Sequence, residues 1–305
     1  MLSVIIPTKD RVKILNKTIG SLVEAIKGID AEIIVVNDSN SDITFPDQKN
    51  ILILNSRRSS AAVSRNLGAK NAKGNVLLFL DDDIVIDHAC LKELYNRTLI
   101  AENVIYLPNW EYPKTINDHL SKTSFGRFVI RANYNNLRGY LGNPEKWSNE
   151  KMMAHDGVAS YCLMLKKELF DNINGYSEKF SFAGFEDHDL SIKITQQKTK
   201  IFIDPKLFVF HNEEDKLQMT AWLTRMEKGA VTRKQAVNIG YQDLKINYNA
   251  SNSVILPMVY VCRNIFISFS NLIPNKTFFD PFYSLIFKIL ISSYIYKGYN
   301  SMNDN

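Results

Sequence analysis

Val76-Leu77-Leu78-Phe79-Leu80 runs without a break into Asp81-Asp82-Asp83. Five consecutive apolar residues after Gly74-Asn75 suit a strand buried on both faces of a parallel sheet, where no polar alternation is needed. Three adjacent carboxylates at its end repel one another unless a cation or a basic partner sits among them. Ligands of open α/β sheets bind at the carboxyl ends of the strands. A buried strand delivering an acidic cluster to that edge therefore points to a metal site, with a solvated turn or a helix N-cap as the plainer alternative. Hard carboxylate oxygens at this spacing suit Mg²⁺ or Mn²⁺ held together with substrate phosphates.

The residues around this strand supply the rest of a sheet. Leu2 to Ile6 is apolar and β-branched, and Pro7 is expected to end it. Ile14, Leu15, Ile19, Leu22, Val23 and Ile26 then recur at helical spacing. Strands are expected over Glu32–Val36 and Ile51–Leu54, the second followed by the basic pair Arg57-Arg58. A helix from Ala61 to Ala72 stops at Lys73-Gly74, and another runs from about Asp87 to Thr98. Strands alternating with helices predict a parallel, crossover-connected α/β sheet. From Asn109 to Glu150 no period dominates, which predicts a functional insertion or structure of another kind. Order returns with a strand over Ser160–Leu165 and a short helix ending near Asn174-Gly175. Glu186-Asp187-His188-Asp189 opens a further helix. Ile201–Ile203 and Leu207–Phe210 read as two short strands, with His211 directly after the second, and Asp215 to about Val237 reads as helix.

Charge separates the last third from this body. From Lys216 onward ten basic residues stand against four acidic ones, a net +6 that leaves the preceding part near −1 of the overall +5. A basic appendage suggests an anionic partner. Its two apolar stretches, Val254–Ile273 and Phe278–Tyr296, suit a membrane or a partner surface better than nucleic acid. Pro257, Arg263, Pro274-Asn275, Asp280-Pro281 and Lys288 interrupt them, so neither is a clean span of ~20 apolar residues. An interfacial helix pair lying on an anionic membrane through residues 254–296, a hairpin covering the domain, and a homo-oligomer contact are all open. Cys90, Cys162 and Cys262 are scattered and odd in number, which predicts buried free thiols in a reducing compartment rather than disulfides or zinc. Met1–Pro7 is too short for a secretion signal and lacks its basic flank, so a cytoplasmic protein is expected, peripheral at the inner face of the cell membrane in the case that residues 254–296 lie on it.

Several motifs occur in a telling order. They are Val4-Ile5-Ile6-Pro7-Thr8 with Arg11, Ile34-Val35-Val36-Asn37-Asp38-Ser39, Arg65-Asn66-Leu67-Gly68, Ala72-Lys73-Gly74 and Phe79-Leu80-Asp81-Asp82-Asp83. Asn174-Gly175-Tyr176 and Phe185-Glu186-Asp187-His188-Asp189-Leu190 follow. Each alone is weak and the ordered set is specific. Over about residues 1–215 the chain resembles the family-2 inverting glycosyltransferases, which have the GT-A nucleotide-sugar-binding fold. Asn37 departs from the pattern by replacing the first of two paired aspartates. The resemblance implies a GT-A-like domain over 1–215, with 109–150 as a variable acceptor-side insertion, and a helical C-terminal region over 216–305.

The same resemblance assigns roles. Pro7, Thr8, Arg11, Asp38, Arg65, Asp81 and Asp82 fall on the donor side. Asp38 would accept from a uracil ring, Arg65 would reach the base or diphosphate, and Asp81 the ribose or a metal-bound water. Asp83 and His211 would ligate Mn²⁺ or Mg²⁺, and Glu186 would hold an acceptor hydroxyl. Asp187 is the expected catalytic base, because in an inverting transfer a carboxylate must take the proton of the attacking hydroxyl. Its place at a helix N-terminus is expected to lower its pKa and keep it ionised. The implied activity is a hexosyltransferase type, moving a sugar from a UDP-sugar to a saccharide or lipid-linked saccharide acceptor in bacterial surface polysaccharide synthesis. A sugar-phosphate nucleotidylyltransferase would need a glycine-rich loop after the first strand, and Pro7–Arg11 has no glycine. An inactive binding or scaffold protein with this fold would be expected to have lost Asp83 or Asp187. Trp110, Trp147 and Trp222 are candidates for stacking on sugars, and core packing explains them equally well.

Overall fold

In the computed structural model, residues 1–45, 51–56, 58, 60–140 and 147–302 are described. The chain divides into two compact units. One comprises Met1–Pro113, Asn136–Glu178 and Glu186–Glu213, and the other Lys114–Asn135, Lys179–Phe185 and Glu214–Asn305.

The first unit is built on β1 (Leu2–Thr8), α1 (Val12–Ala25), β2 (Ala31–Asn37), β3 (Ile51–Asn55), α2 (Ala61–Asn71) and β4 (Val76–Leu80). The sheet order is β3-β2-β1-β4-β8, where β8 is Cys162–Lys166. The first four strands are parallel and β8 is antiparallel to β4. All five residues of β4 are buried, as an unbroken apolar run requires. The chain moves outward from β1 to β3 and returns on the other side of β1 at β4. The topological switch thus lies between the carboxyl ends of β1 and β4, where α/β sheets bind ligands.

Pro7 does not end the first strand. Its ladder with β2 continues to Thr8, whereas pairing with β4 stops at Ile5, so the missing N–H breaks no bond on that side. Gly68 lets α2 lie close on β1, since a Cβ there would meet Ile5 Cγ2 at 2.3 Å.

A second sheet joins β5 (Ile84–Val85), β6 (Val104–Glu111) and β9 (Lys200–His211), with β7 (Met153–His155) also on β9; α3 (His88–Ile100) lies between β5 and β6. The two strands expected over 201–210 are one. Among the described residues, Pro205 falls where no strand pairs with β9 on one side, between its pairings with β7 at Ile201–Ile203 and β5 at Phe210–His211. On the other side it falls in the register shift opposite Pro108/Asn109. β5 follows the acidic cluster directly, and its pairing of Ile84 with His211 brings the end of β9 back to it. After β8 come α6 (Lys167–Asn172) and α7 (Glu186–Gln196).

The second unit is helical. Residues expected to form an aperiodic insertion supply α4 (Lys114–Ser121) and α5 (Ser124–Arg131), with α8 (Met219–Asn238), α9 (Ala250–Val261), α10 (Arg263–Leu272) and α11 (Asp280–Tyr299) following. Phe287 of α11 is fully buried, with its ring 5.3 Å from that of Phe125 and 4.8 Å from that of Phe128. Trp222 is buried beside Phe125 and Tyr134 in this core. Asp280 pairs with Arg127 at 2.7 Å and Arg131 at 3.2 Å, tying the start of α11 to α5. Pro257 leaves the carbonyl of Ser253 without its helical donor, and the Tyr296 hydroxyl donates to it at 3.4 Å. Thr277–Tyr299 is long and apolar enough to cross a membrane, with 39% of its apolar window buried, although the interruptions argued against a clean span. Cys90 and Cys162 are buried as expected, and burial pushes the Cys90 thiol up to about 12. Cys262 is exposed, because it stands at the bend between α9 and α10.

Candidate active site

The three aspartates after β4 have different surroundings. Asp82 is buried, accepting from the Thr8 hydroxyl at 2.6 Å and from Arg11 Nη1, while its carbonyl accepts from the Thr18 hydroxyl at 2.8 Å. Arg11 Nη2 reaches Asp83 Oδ2 at 2.8 Å. Thr8 and Arg11, expected to face the donor, thus lock the loop after β1 onto the loop after β4. Asp82, expected on the donor side as well, anchors that lock. Asp38 lies beside them at the end of β2, 3.4 Å from Lys9 Nζ, with its N–H donating to the Thr8 carbonyl at 2.8 Å. Asn37, at the end of β2, donates to the Ser41 carbonyl at 2.9 Å and to Asn55 Oδ1 at 3.2 Å, on the β3 side. Arg57, the first of the basic pair, lies outside the described residues.

Asp83 is buried at the end of a short path through β5. His211 Nε2 lies 3.0 Å from Asp83 Oδ1 and 3.6 Å from Glu213 Oε1. All three are buried, and one ligand atom from each falls within 4.8 Å of the others. Glu213 also accepts from the Tyr112 hydroxyl at 2.6 Å, and the Trp110 ring stands edge-on to His211 at 4.9 Å. Two carboxylates, of Asp83 and Glu213, with the imidazole of His211 form a donor set suited to Mn²⁺ or Mg²⁺. These residues fit a divalent cation. Glu213 was not among the expected ligands, yet His211-Asn212-Glu213 carries the alternation that puts residues two apart on one face of an extended chain.

A second carboxylate group gathers around Arg65. This buried guanidinium donates to Asp81 Oδ1 at 2.9 Å and to Glu186 Oε1 at 3.1 Å. Burial opposes its charge, but Asp81, Asp187 and Glu186 outweigh that and hold its pKa above the ordinary arginine value. Arg65 also lies over the Tyr176 ring, 5.3 Å from its centre. The turn carrying Tyr176 is fixed by Asn66, which donates to the Tyr176 carbonyl at 2.9 Å and accepts from its N–H at 3.0 Å. Asn174 and Gly175 take positive φ there, 56° and 59°, which suits these two residue types. The Arg65-Asn66 and Asn174-Gly175-Tyr176 motifs are therefore two halves of one contact.

Asp187 opens α7 next to Glu186. Its carboxylate accepts from the Ser160 N–H at 3.0 Å and from the Ser160 hydroxyl, which also bonds the Tyr176 hydroxyl at 2.6 Å. Ser160 comes to this edge because β8 starts where β4 ends, with Leu80 opposite Cys162. The helix N-terminus does not decide the state of Asp187. Burial pushes its pKa above the ordinary carboxylate range, against the opposing pull of Arg65 and of both Ser160 hydrogen bonds. Ser160 carries no charge and belongs to no motif, and Tyr176 enters the sequence pattern only as the last residue of Asn174-Gly175-Tyr176.

A family model described as glycosyl transferase family 2 matches residues 3–170, and one described as N-terminal domain of galactosyltransferase matches residues 148–214. The chain is 25% identical over 224 residues to the O-antigen biosynthesis protein RfbC of Myxococcus xanthus, covering 69% of this chain and 17% of that protein. It spans 17%, 24% and 63% of the lengths of three curated relatives it matches. Two solved glycosyltransferases share its GT-A fold. GalNAc-T7 with UDP, GalNAc and Mn²⁺ aligns over 69% of this chain and 43% of its own, with TM-score 0.53 and 16% identity. The mannosyltransferase PcManGT from Pyrobaculum calidifontis, in complex with GDP-Man and Mn²⁺, aligns over 99% of this chain and 88% of its own, with TM-score 0.57 and 12% identity.

Proposed function

The chain belongs to glycosyl transferase family 2 and has the GT-A fold, and on that premise we propose that it is a metal-dependent, inverting glycosyltransferase, taking a sugar from a UDP-sugar to a hydroxyl of a saccharide or lipid-linked saccharide. The observation that carries this reading is the Arg65 bridge. One buried guanidinium joins Asp81, at the end of β4, to Glu186, the neighbour of Asp187. A donor half and an acceptor half thereby share one positioning residue. The O-antigen relative supports a place in surface polysaccharide synthesis.

Asp83, His211 and Glu213 would hold the cation, and Tyr112 orients Glu213 for it. A bound Mn²⁺ or Mg²⁺ supplies a Lewis acid against charge growing on the departing nucleotide. Asp187 accepts the proton of the attacking hydroxyl at a carboxylate oxygen, and Ser160 holds that carboxylate in place by two hydrogen bonds. Burial raises its proton affinity toward what a general base near neutral pH requires. Asp38 at the end of β2 is the residue assigned to the uracil ring. Arg65 holds Asp81 and Glu186 in place with one hydrogen bond to each.

The two solved neighbours carry different nucleotides, UDP in one and GDP-Man in the other. A thermal-shift screen of UDP-, GDP- and other nucleotide sugars with Mn²⁺ therefore tests the donor assignment. Stabilisation by UDP-sugars that is lost with EDTA supports it. Stabilisation by a GDP-sugar alone contradicts the uracil reading of Asp38.

A further inference from the structure

Eighteen large apolar side chains stand exposed among the described residues, and ten of them fall between Val254 and Leu285. Scattered exposed apolar residues need no explanation, but a concentrated set marks an interaction surface. The set is also periodic. Val254, Met258 and Val261 on α9 are spaced four and three apart, as are Ile265, Phe269 and Leu272 on α10. Phe278, Phe282 and Leu285 repeat that spacing from the turn Thr277–Phe279 into α11. Residues so spaced share one helix face. The Phe269 and Phe282 rings meet at 6.1 Å, joining the faces of α10 and α11. The other side of α11 is occupied by its own unit through the buried Ile286, Phe287 and Leu290.

Charge says what covers this face. Between Val254 and Ile289 the only charged residues are Arg263, Lys276, Asp280 and Lys288. Asp280 is 2% exposed and committed to Arg127 and Arg131, which leaves a strip whose outward charge is entirely basic. A two-fold contact with a second copy would set these cations against themselves, since an isologous surface must complement itself. A straight transmembrane span fits α9 and α10 poorly. They are 12 and 10 residues long and bent by 71°, and at ~1.5 Å per residue neither approaches the ~30 Å hydrocarbon layer. Apolar side chains on short, differently directed helices, whose own outward charges are basic, match a bilayer surface bearing anionic headgroups.

We propose that the outer faces of α9, α10 and the start of α11 form one docking surface that lies in the plane of an anionic membrane. The apolar set enters the boundary between headgroups and acyl chains, and Arg263, Lys276 and Lys288 meet lipid phosphates. The test is flotation of the full chain with phosphatidylcholine vesicles, with and without phosphatidylglycerol. Binding is expected with the anionic vesicles and should weaken about fivefold for each of Lys276→Gln and Lys288→Gln. It should be lost in Val261→Glu/Ile265→Glu, whose sites are exposed, so that far-UV circular dichroism stays native. Emission of Phe278→Trp should be quenched by brominated lipid. Failure of the full chain to float with anionic vesicles overturns the proposal, as does binding undiminished in the folded double glutamate variant. A dimer that this variant dissociates, in a protein that ignores vesicles, would overturn it in favour of a second copy.

Discussion

Asp187 carries the sharpest chemical expectation at the scale of single residues. As general base it must be ionised, so kcat/KM should rise with pH through its pKa, above the ordinary carboxylate range of about 3.9. Ser160 bonds the ionised form and pulls that pKa down, so Ser160→Ala should move the acid limb of kcat/KM to higher pH. Ser160→Thr should restore it, and an unmoved limb would detach Ser160 from the base. Asp187→Asn should leave UDP affinity nearly unchanged and cut transfer by about 10²–10⁴-fold, measured as product release under saturating donor. Arg65 answers to a different measurement. Arg65→Met leaves Glu186 buried without its cation, and the cost of such a broken pair is about 3–5 kcal/mol, read from urea denaturation. Arg65→Met/Glu186→Gln should recover part of that loss.

Elements placed these residues, and their legibility followed their length. The strands β1, β2, β3, β4 and β8 announced themselves as short apolar runs, α1 by its helical period, and α2 by its stop at Lys73-Gly74. By contrast, α4 and α5 have eight residues each, too few turns for a period to stand out among aromatic and polar neighbours. β5 has two residues and exists only because β9 pairs with it, yet it is the element that carries Asp83 to His211. Local sequence holds no trace of such a pairing. The metal candidates Asp83 and His211 were legible as a strand end and a lone histidine, and Glu213 was legible only by alternation. Ser160 became visible only with the register of β8 on β4. Within the helical unit, Phe287→Ala should cost about 3–5 kcal/mol, because a fully buried ring leaves a cavity. Leu285→Ala on the exposed face should stay within about 0.5 kcal/mol. Equal effects in urea denaturation would contradict the packing of α11 described above.

At the scale of the whole molecule, the chain belongs to glycosyl transferase family 2 and has the GT-A fold, while the proposed reaction, its donor, its cation and its acceptor rest on the site. On the proposed function, Asp83 builds with His211 and Glu213 a divalent-cation site on which nucleotide binding depends. Titration calorimetry of UDP against the full chain tests it most directly, with Mn²⁺, with EDTA, and in Asp83→Ala. UDP is expected to bind with Mn²⁺, and its affinity should fall by about a hundredfold or more in EDTA and in Asp83→Ala, as befits loss of a metal ligand. UDP binding of equal strength in all three would contradict the metal site.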